Sequence, residues 1–88
     1  MNLTLSDTAY THLGNLLEQH NKKYVRLQVK GGGCAGFEYE WSFEEQAEKD
    51  DHIIDDRLIV HKMNELYLMG VEIDYDSEIF GSTFKFNN

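Results

Sequence analysis

The sequence predicts a small, mainly β domain of the α+β class, with one long N-terminal helix and one short later helix. Three observations carry that expectation. Helical patterns are readable in only two places, residues 6–20 and 62–69. Short alternating or continuous apolar runs fill most of the remainder. The 88 residues are 41% hydrophobic and 12% aromatic, enough for one real core and too apolar for a disordered chain.

Ser6 is a candidate N-cap, and Asp7 places an anion in the first turn, where the helix dipole favours it. Ala9, Leu13, Leu16, Leu17 and His20 follow at helical spacing and predict one amphipathic helix over residues 6–20, closed by Asn21-Lys22-Lys23. Gly14 stands inside it at a propensity cost of about 1 kcal/mol relative to alanine. Tyr24 to Lys30 alternates apolar and polar residues and reads as a half-buried strand. Phe37 to Glu44 alternates again: Phe37, Tyr39, Trp41 and Phe43 are expected to form the main aromatic wall of the core, with Glu38, Glu40, Ser42 and Glu44 facing away.

Residues 45–51 are polar and charged and are expected to form a solvated loop, with no spacing that matches an EF-hand. His52 to Asp55 and Arg57 to His61 are short apolar runs, either two brief strands or one with a bend. Lys62 to Met69 can form a short helix stopped by Gly70. Val71, Ile73 and Tyr75 alternate with Glu72, Asp74 and Asp76, and Gly81 precedes a last strand from Thr83 to Phe86. The total is about six short strands, with no repeat, no low-complexity segment and no proline.

Eight basic against sixteen acidic residues give a net charge of −8. No basic stripe is present to neutralise phosphates, which argues against nucleic acid and against anionic membrane surfaces. Such a chain suits partners with basic patches. A single cysteine excludes an intramolecular disulfide, and neither a signal-peptide pattern nor a membrane-length apolar segment is present. A reducing, cytoplasmic setting is expected.

The chemistry centres on Gly31-Gly32-Gly33-Cys34-Ala35-Gly36, between the two alternating strands. Glycines permit positive φ and close backbone approach. Successive N–H groups in such a loop can form a concave anion site, which would favour the thiolate that binds metal or attacks electrophiles. The plain alternative is a flexible linker with an inert cysteine. A Cys–His hydrolase finds little support, because His12, His20, His52 and His61 are scattered. Structural zinc lacks its paired ligand spacings for the same reason. Glu72, Asp74, Asp76 and Glu78 would share one strand face, most simply as a solvated edge that discourages strand addition.

The stretch from Val25 through the glycine–cysteine loop to Tyr39 closely resembles the first-cysteine motif of the A-type iron–sulfur carriers, the HesB-like proteins. Leu66-Tyr-Leu-Met-Gly-Val-Glu-Ile-Asp-Tyr75 and Gly81-Ser-Thr-Phe-Lys-Phe-Asn-Asn88 resemble later segments of the same family. The resemblance covers residues 1–88 as a single HesB-like domain. It implies a compact fold of small mixed β-sheets with a helix at the side. It also implies a protein of iron–sulfur cluster assembly that takes a labile cluster, 2Fe-2S foremost, or iron from scaffold or donor proteins and passes it to apo-proteins.

Family ligands come from the loop cysteine and from a Cys-x-Cys pair near the C-terminus, at a dimer or higher homo-oligomer interface. Only Cys34 carries over, with Gly31, Gly32, Gly33 and Gly36 as its supporting loop. The sequence ends where the family's tail would begin, as expected either of a truncated chain or of a tail-less relative. His61, which stands where many relatives have Asp, is the second candidate metal ligand. No catalytic residue is implied and no enzyme is expected. The alternatives are a cluster-free interaction module acting on assembly partners and a thiol redox sensor built on Cys34.

Overall fold

The structure, a computed structural model, describes residues 2–31, 37–76 and 83–87. In chain order these form β1 (Thr4–Leu5), α1 (Asp7–His20), β2 (Tyr24–Gly31), β3 (Phe37–Glu44), β4 (Asp51–Ile54) and β5 (Leu58–His61). A single 3-10 turn (Lys62–Asn64) then runs into α2 (Glu65–Leu68), followed by β6 (Glu72–Asp76) and β7 (Thr83–Asn87). The mainly β, α+β expectation holds. The element missed from sequence is β1, whose two residues are too few to show a period.

Both sheets are mixed. The four-stranded sheet has the order β3-β2-β5-β4, with β2 parallel to β5 and the other pairs antiparallel. The three-stranded sheet has the order β1-β6-β7, with β1 parallel to β6 and β7 antiparallel to it. α1 buries Ala9, Leu13 and Leu17 on the shared core. The Ser6 hydroxyl accepts from the Ala9 N–H at 3.2 Å, as an N-cap should. Asn21 ends the helix in the left-handed region at φ 53°, and the Lys22 N–H donates to the Leu17 carbonyl at 3.1 Å.

Gly14 has a specific reason to be in α1. The Arg57 guanidinium lies across the helix there, donating to the Tyr10 carbonyl at 2.7 Å and stacking over the Tyr10 ring at 3.8 Å. A methyl group at position 14 would overlap that guanidinium. The chain reaches this position through a β4–β5 turn in which Asp55 and Asp56 both have positive φ. Aspartate tolerates that region better than most residues.

Two expectations require correction. The core is aliphatic, built on residues such as Leu13, Leu27, Leu58, Leu68 and Ile73. Tyr39 is exposed, while Trp41 and Phe43 are half-buried at its margin. β3 is an edge strand, so its rings close the rim: Tyr39 stacks on Phe86 at 3.8 Å and Trp41 on Phe84 at 4.5 Å, joining the two sheets. The side chain of Phe37 lies outside the described residues.

The acidic row of β6 is likewise not a solvated edge, because β6 is the centre of its sheet. Asp74 accepts hydrogen bonds from the Ser6 and Thr8 hydroxyls at 2.6 and 2.8 Å and from the Tyr75 N–H at 2.8 Å. It therefore anchors the start of α1. Glu78 and the side chain of Asp76 lie outside the described residues.

Candidate functional site

The β2–β3 hairpin is the longest paired element, with register running from Tyr24↔Glu44 to Gly31↔Phe37. Its alternation places Val25, Leu27 and Val29 in the core and turns Arg26, Gln28 and Lys30 to the opposite face. The ladder stays in register to its last pair, so the chain leaves β2 and enters β3 at adjacent positions. Of the residues singled out in the loop, Gly31 closes β2; Gly32, Gly33, Cys34 and Gly36 lie outside the described residues.

An open cleft of about 600 Å³ runs along the polar face of this hairpin, lined by Arg26, Gln28, Lys30, Ser42, Glu44, Glu48, His61, Met63 and Asn64, with Val29 at its wall. Its floor is a buried ion pair. The Arg26 guanidinium donates through both terminal nitrogens to Asp51, at 2.8 and 2.7 Å, and the two side chains are 9% and 0% exposed. The Glu48 N–H donates to the same carboxylate at 2.6 Å.

Hydrogen bonding from Arg26, foremost, holds the Asp51 carboxyl below its usual value, and the same bond raises Arg26. Asp51 was expected in a solvated loop; instead it opens β4 and fixes the loop that precedes it. Nothing local signals this, since its partner lies 25 residues earlier. Arg26 is buried where its guanidinium meets the Asp51 carboxylate.

His61 lines the cleft, and its ring Nδ1 accepts from the Met63 N–H at 3.1 Å, capping the 3-10 turn. An Nδ1 that accepts leaves the proton of the neutral ring on Nε2. A metal on Nε2 would ordinarily need Nδ1 as a donor. His61 can therefore act as a ligand only after its ring gives up the cap.

The other histidines are spread over the fold. His12 stacks on Tyr75 at 3.6 Å, His20 stacks on Phe43 at 4.2 Å, and His52 Nε2 lies 3.5 Å from a Glu65 oxygen. Among the described residues, no group of three or more His, Cys, Asp or Glu side chains could hold a metal ion. No helix among them is long and apolar enough to cross a membrane.

The model of a family described as iron–sulphur cluster biosynthesis matches residues 1–88. The chain belongs to that family. It is 37% identical over 91 residues to the iron–sulfur cluster insertion protein ErpA of Marinobacter nauticus, covering 98% of this chain and 83% of the relative. It is also 37% identical over 93 residues to ErpA of Shewanella denitrificans, covering 100% of this chain and 80% of the relative. The crystal structure of Escherichia coli SufA, described as involved in biosynthesis of iron–sulfur clusters, superposes with a TM-score of 0.85 at 34% identity, over 99% of this chain and 80% of that one. A crystal structure of IscA with the 2Fe-2S cluster shares the fold, with a TM-score of 0.79 at 20% identity over 98% and 84%. The small mixed sheets and flanking helix implied by the sequence resemblance are those of SufA.

Proposed function

We propose that this chain carries an iron–sulfur cluster, or iron, as cargo for insertion into apo-proteins, and that Cys34 holds the cargo. The observation that carries this reading is the family match across residues 1–88 of a chain whose one thiol sits in the glycine-rich hairpin loop. Residues 1–88 act as one domain, since both sheets and α1 contribute to one core.

Iron–sulfur clusters are usually held by four thiolates. One copy of this sequence supplies one, and the described residues add no preformed metal group. Two copies related by a two-fold axis would supply two thiolates to a 2Fe-2S cargo. The remaining positions would go to a carboxylate, to His61 released from Met63, or to a small external thiol. Such ligation is labile, which suits delivery. The IscA crystal structure, with its 2Fe-2S cluster on the same fold, supports that cargo type. Partners in this reading are scaffold or donor proteins and apo-protein recipients, within the reducing cytoplasm. No residue is assigned a catalytic role.

Anaerobic reconstitution with iron and sulfide tests the reading, followed by visible absorbance, iron per chain and native mass, for this chain and for Cys34→Ser. A charge-transfer spectrum lost in the variant, with about one iron per subunit as a shared two-iron cluster requires, is the expected result. Alkylation of Cys34 should show a thiol midpoint below about 8.5 if the loop's N–H groups favour thiolate. A protein that stays colourless refutes the carrier. The second reading, a cluster-free module that works by binding assembly partners, predicts that colourless result with partner binding retained.

A further inference from the structure

The 3-10 turn and α2 hold their place without their methionines. Leu68 is fully buried and anchors the segment in the core. The backbone is fixed at both ends. The Met63 N–H donates to His61 Nδ1 at 3.1 Å, the Gly70 N–H to the Asn2 carbonyl at 2.7 Å and the Val71 N–H to the Leu68 carbonyl at 3.2 Å. Met63 and Met69 themselves stand in solvent, 76% and 53% exposed, and neither belongs to the core.

A thioether in solvent is a nucleophile toward hydroperoxides. A sulfur lone pair attacks one oxygen of hydrogen peroxide and the O–O bond breaks. The transferred O–H gives its proton to the departing hydroxide, so the products are the sulfoxide and water. Sulfur is oxidised by two electrons and the peroxide is reduced by two. The product is polar and chiral where the thioether was apolar, which disrupts a core when the methionine is packed in one. Here the change is confined to the surface. Met63, Leu66, Tyr67 and Met69 are exposed apolar side chains within one short segment, and oxidation makes two of those four polar. Met63 also lines the cleft beside His61 and Asn64, so its sulfoxide oxygen adds a hydrogen-bond acceptor to the cleft wall.

We propose that Met63, followed by Met69, is a modification site for hydroperoxides, where reversible sulfoxide formation turns the exposed side of the 3-10 turn and α2 from apolar to polar while the fold stays intact. This is independent of the carrier reading. It is tested on the full cluster-free chain carrying Cys34→Ser, in which no thiol competes for the oxidant.

Hydrogen peroxide is the probe, with intact mass and peptide mapping to count and place the added oxygens. Met63 should be oxidised at a rate within about tenfold of free N-acetylmethionine amide, as an exposed thioether requires, and Met69 should follow more slowly. The two methionine sulfoxide reductases, one for each epimer, should together restore the parent mass. The oxidised chain should leave a phenyl column earlier than the parent and keep its thermal midpoint. Met63→Leu with Met69→Leu should elute at the same place with and without peroxide. A Met63 rate below that range, or below the rate of Met69, would overturn the proposal. So would a lower thermal midpoint after oxidation, which would mean that a thioether is packed in the fold. Column retention unmoved by oxidation would overturn it too, because the two side chains would then not form part of the exposed apolar surface.

Discussion

Asp51→Ala should be the most damaging single truncation on the polar side of the hairpin. It leaves the Arg26 guanidinium, 9% exposed, without its two-pronged partner and also frees the Glu48 N–H. Removing one member of a buried ion pair costs roughly 3–5 kcal/mol; the Glu44 carboxylate, 3.9 Å from the Arg26 Nε, stays beside the remaining charge and places the cost at the lower end, about 3 kcal/mol. A domain of 88 residues has a total stability of roughly 4–13 kcal/mol, so the variant should be partly unfolded or close to it. Replacing both partners, Arg26→Met with Asp51→Leu, should restore stability to within about 1 kcal/mol of the parent, since the desolvation cost goes with the charges.

Urea unfolding followed by far-ultraviolet circular dichroism measures all three proteins. A loss below about 1 kcal/mol for Asp51→Ala would refute the reasoning, because it would place the pair in the class of solvent-screened surface bridges. There is a matching acid signature. The folded Asp51 carboxyl titrates below its ordinary 3.8, so its contribution is fully present above that pH and is lost as pH falls through the lower folded value. Asp51→Asn should lack that part of the acid transition.

Two further outcomes follow from the contacts of α1. Gly14→Ala should stabilise the chain by roughly 1 kcal/mol in an Arg57→Ala background, the helix-propensity gain, and by much less with Arg57 present, because the new methyl displaces the guanidinium from Tyr10; additive effects in a double-mutant cycle of urea midpoints would contradict this. Burial against Tyr75 lowers the His12 pKa from 6.5, so its contribution to stability is complete above that pH and declines as pH drops through 6.5 toward the folded value. His12→Phe should remove this component from the thermal midpoint measured between pH 8 and 5, and an unchanged pH profile would count against it.

Much of this protein follows from local chemistry. Ser6 and Asn21 bound α1 because a hydroxyl before the first turn and a left-handed residue after the last satisfy orphan backbone groups wherever they stand. The two alternating runs around the glycine–cysteine loop dictate a hairpin, since period-two burial has one way to present Val25, Leu27 and Val29 to a core. The stretch from Val25 through the loop to Tyr39 resembles the family to which the chain belongs.

What only the tertiary structure decides is how the polar residues are used. Arg26 falls on the polar side of the β2 alternation, and its burial is decided by Asp51, 25 residues later in the chain, meeting its guanidinium. Asp74 reads as part of an acidic edge until β1 and β7 take both sides of β6 and α1 begins at its carboxylate. His61 reads as a free ligand until the turn it caps is seen. Alternation sets which face a side chain takes. Which faces are covered depends on strand order, and strand order comes from contacts between residues far apart in the chain.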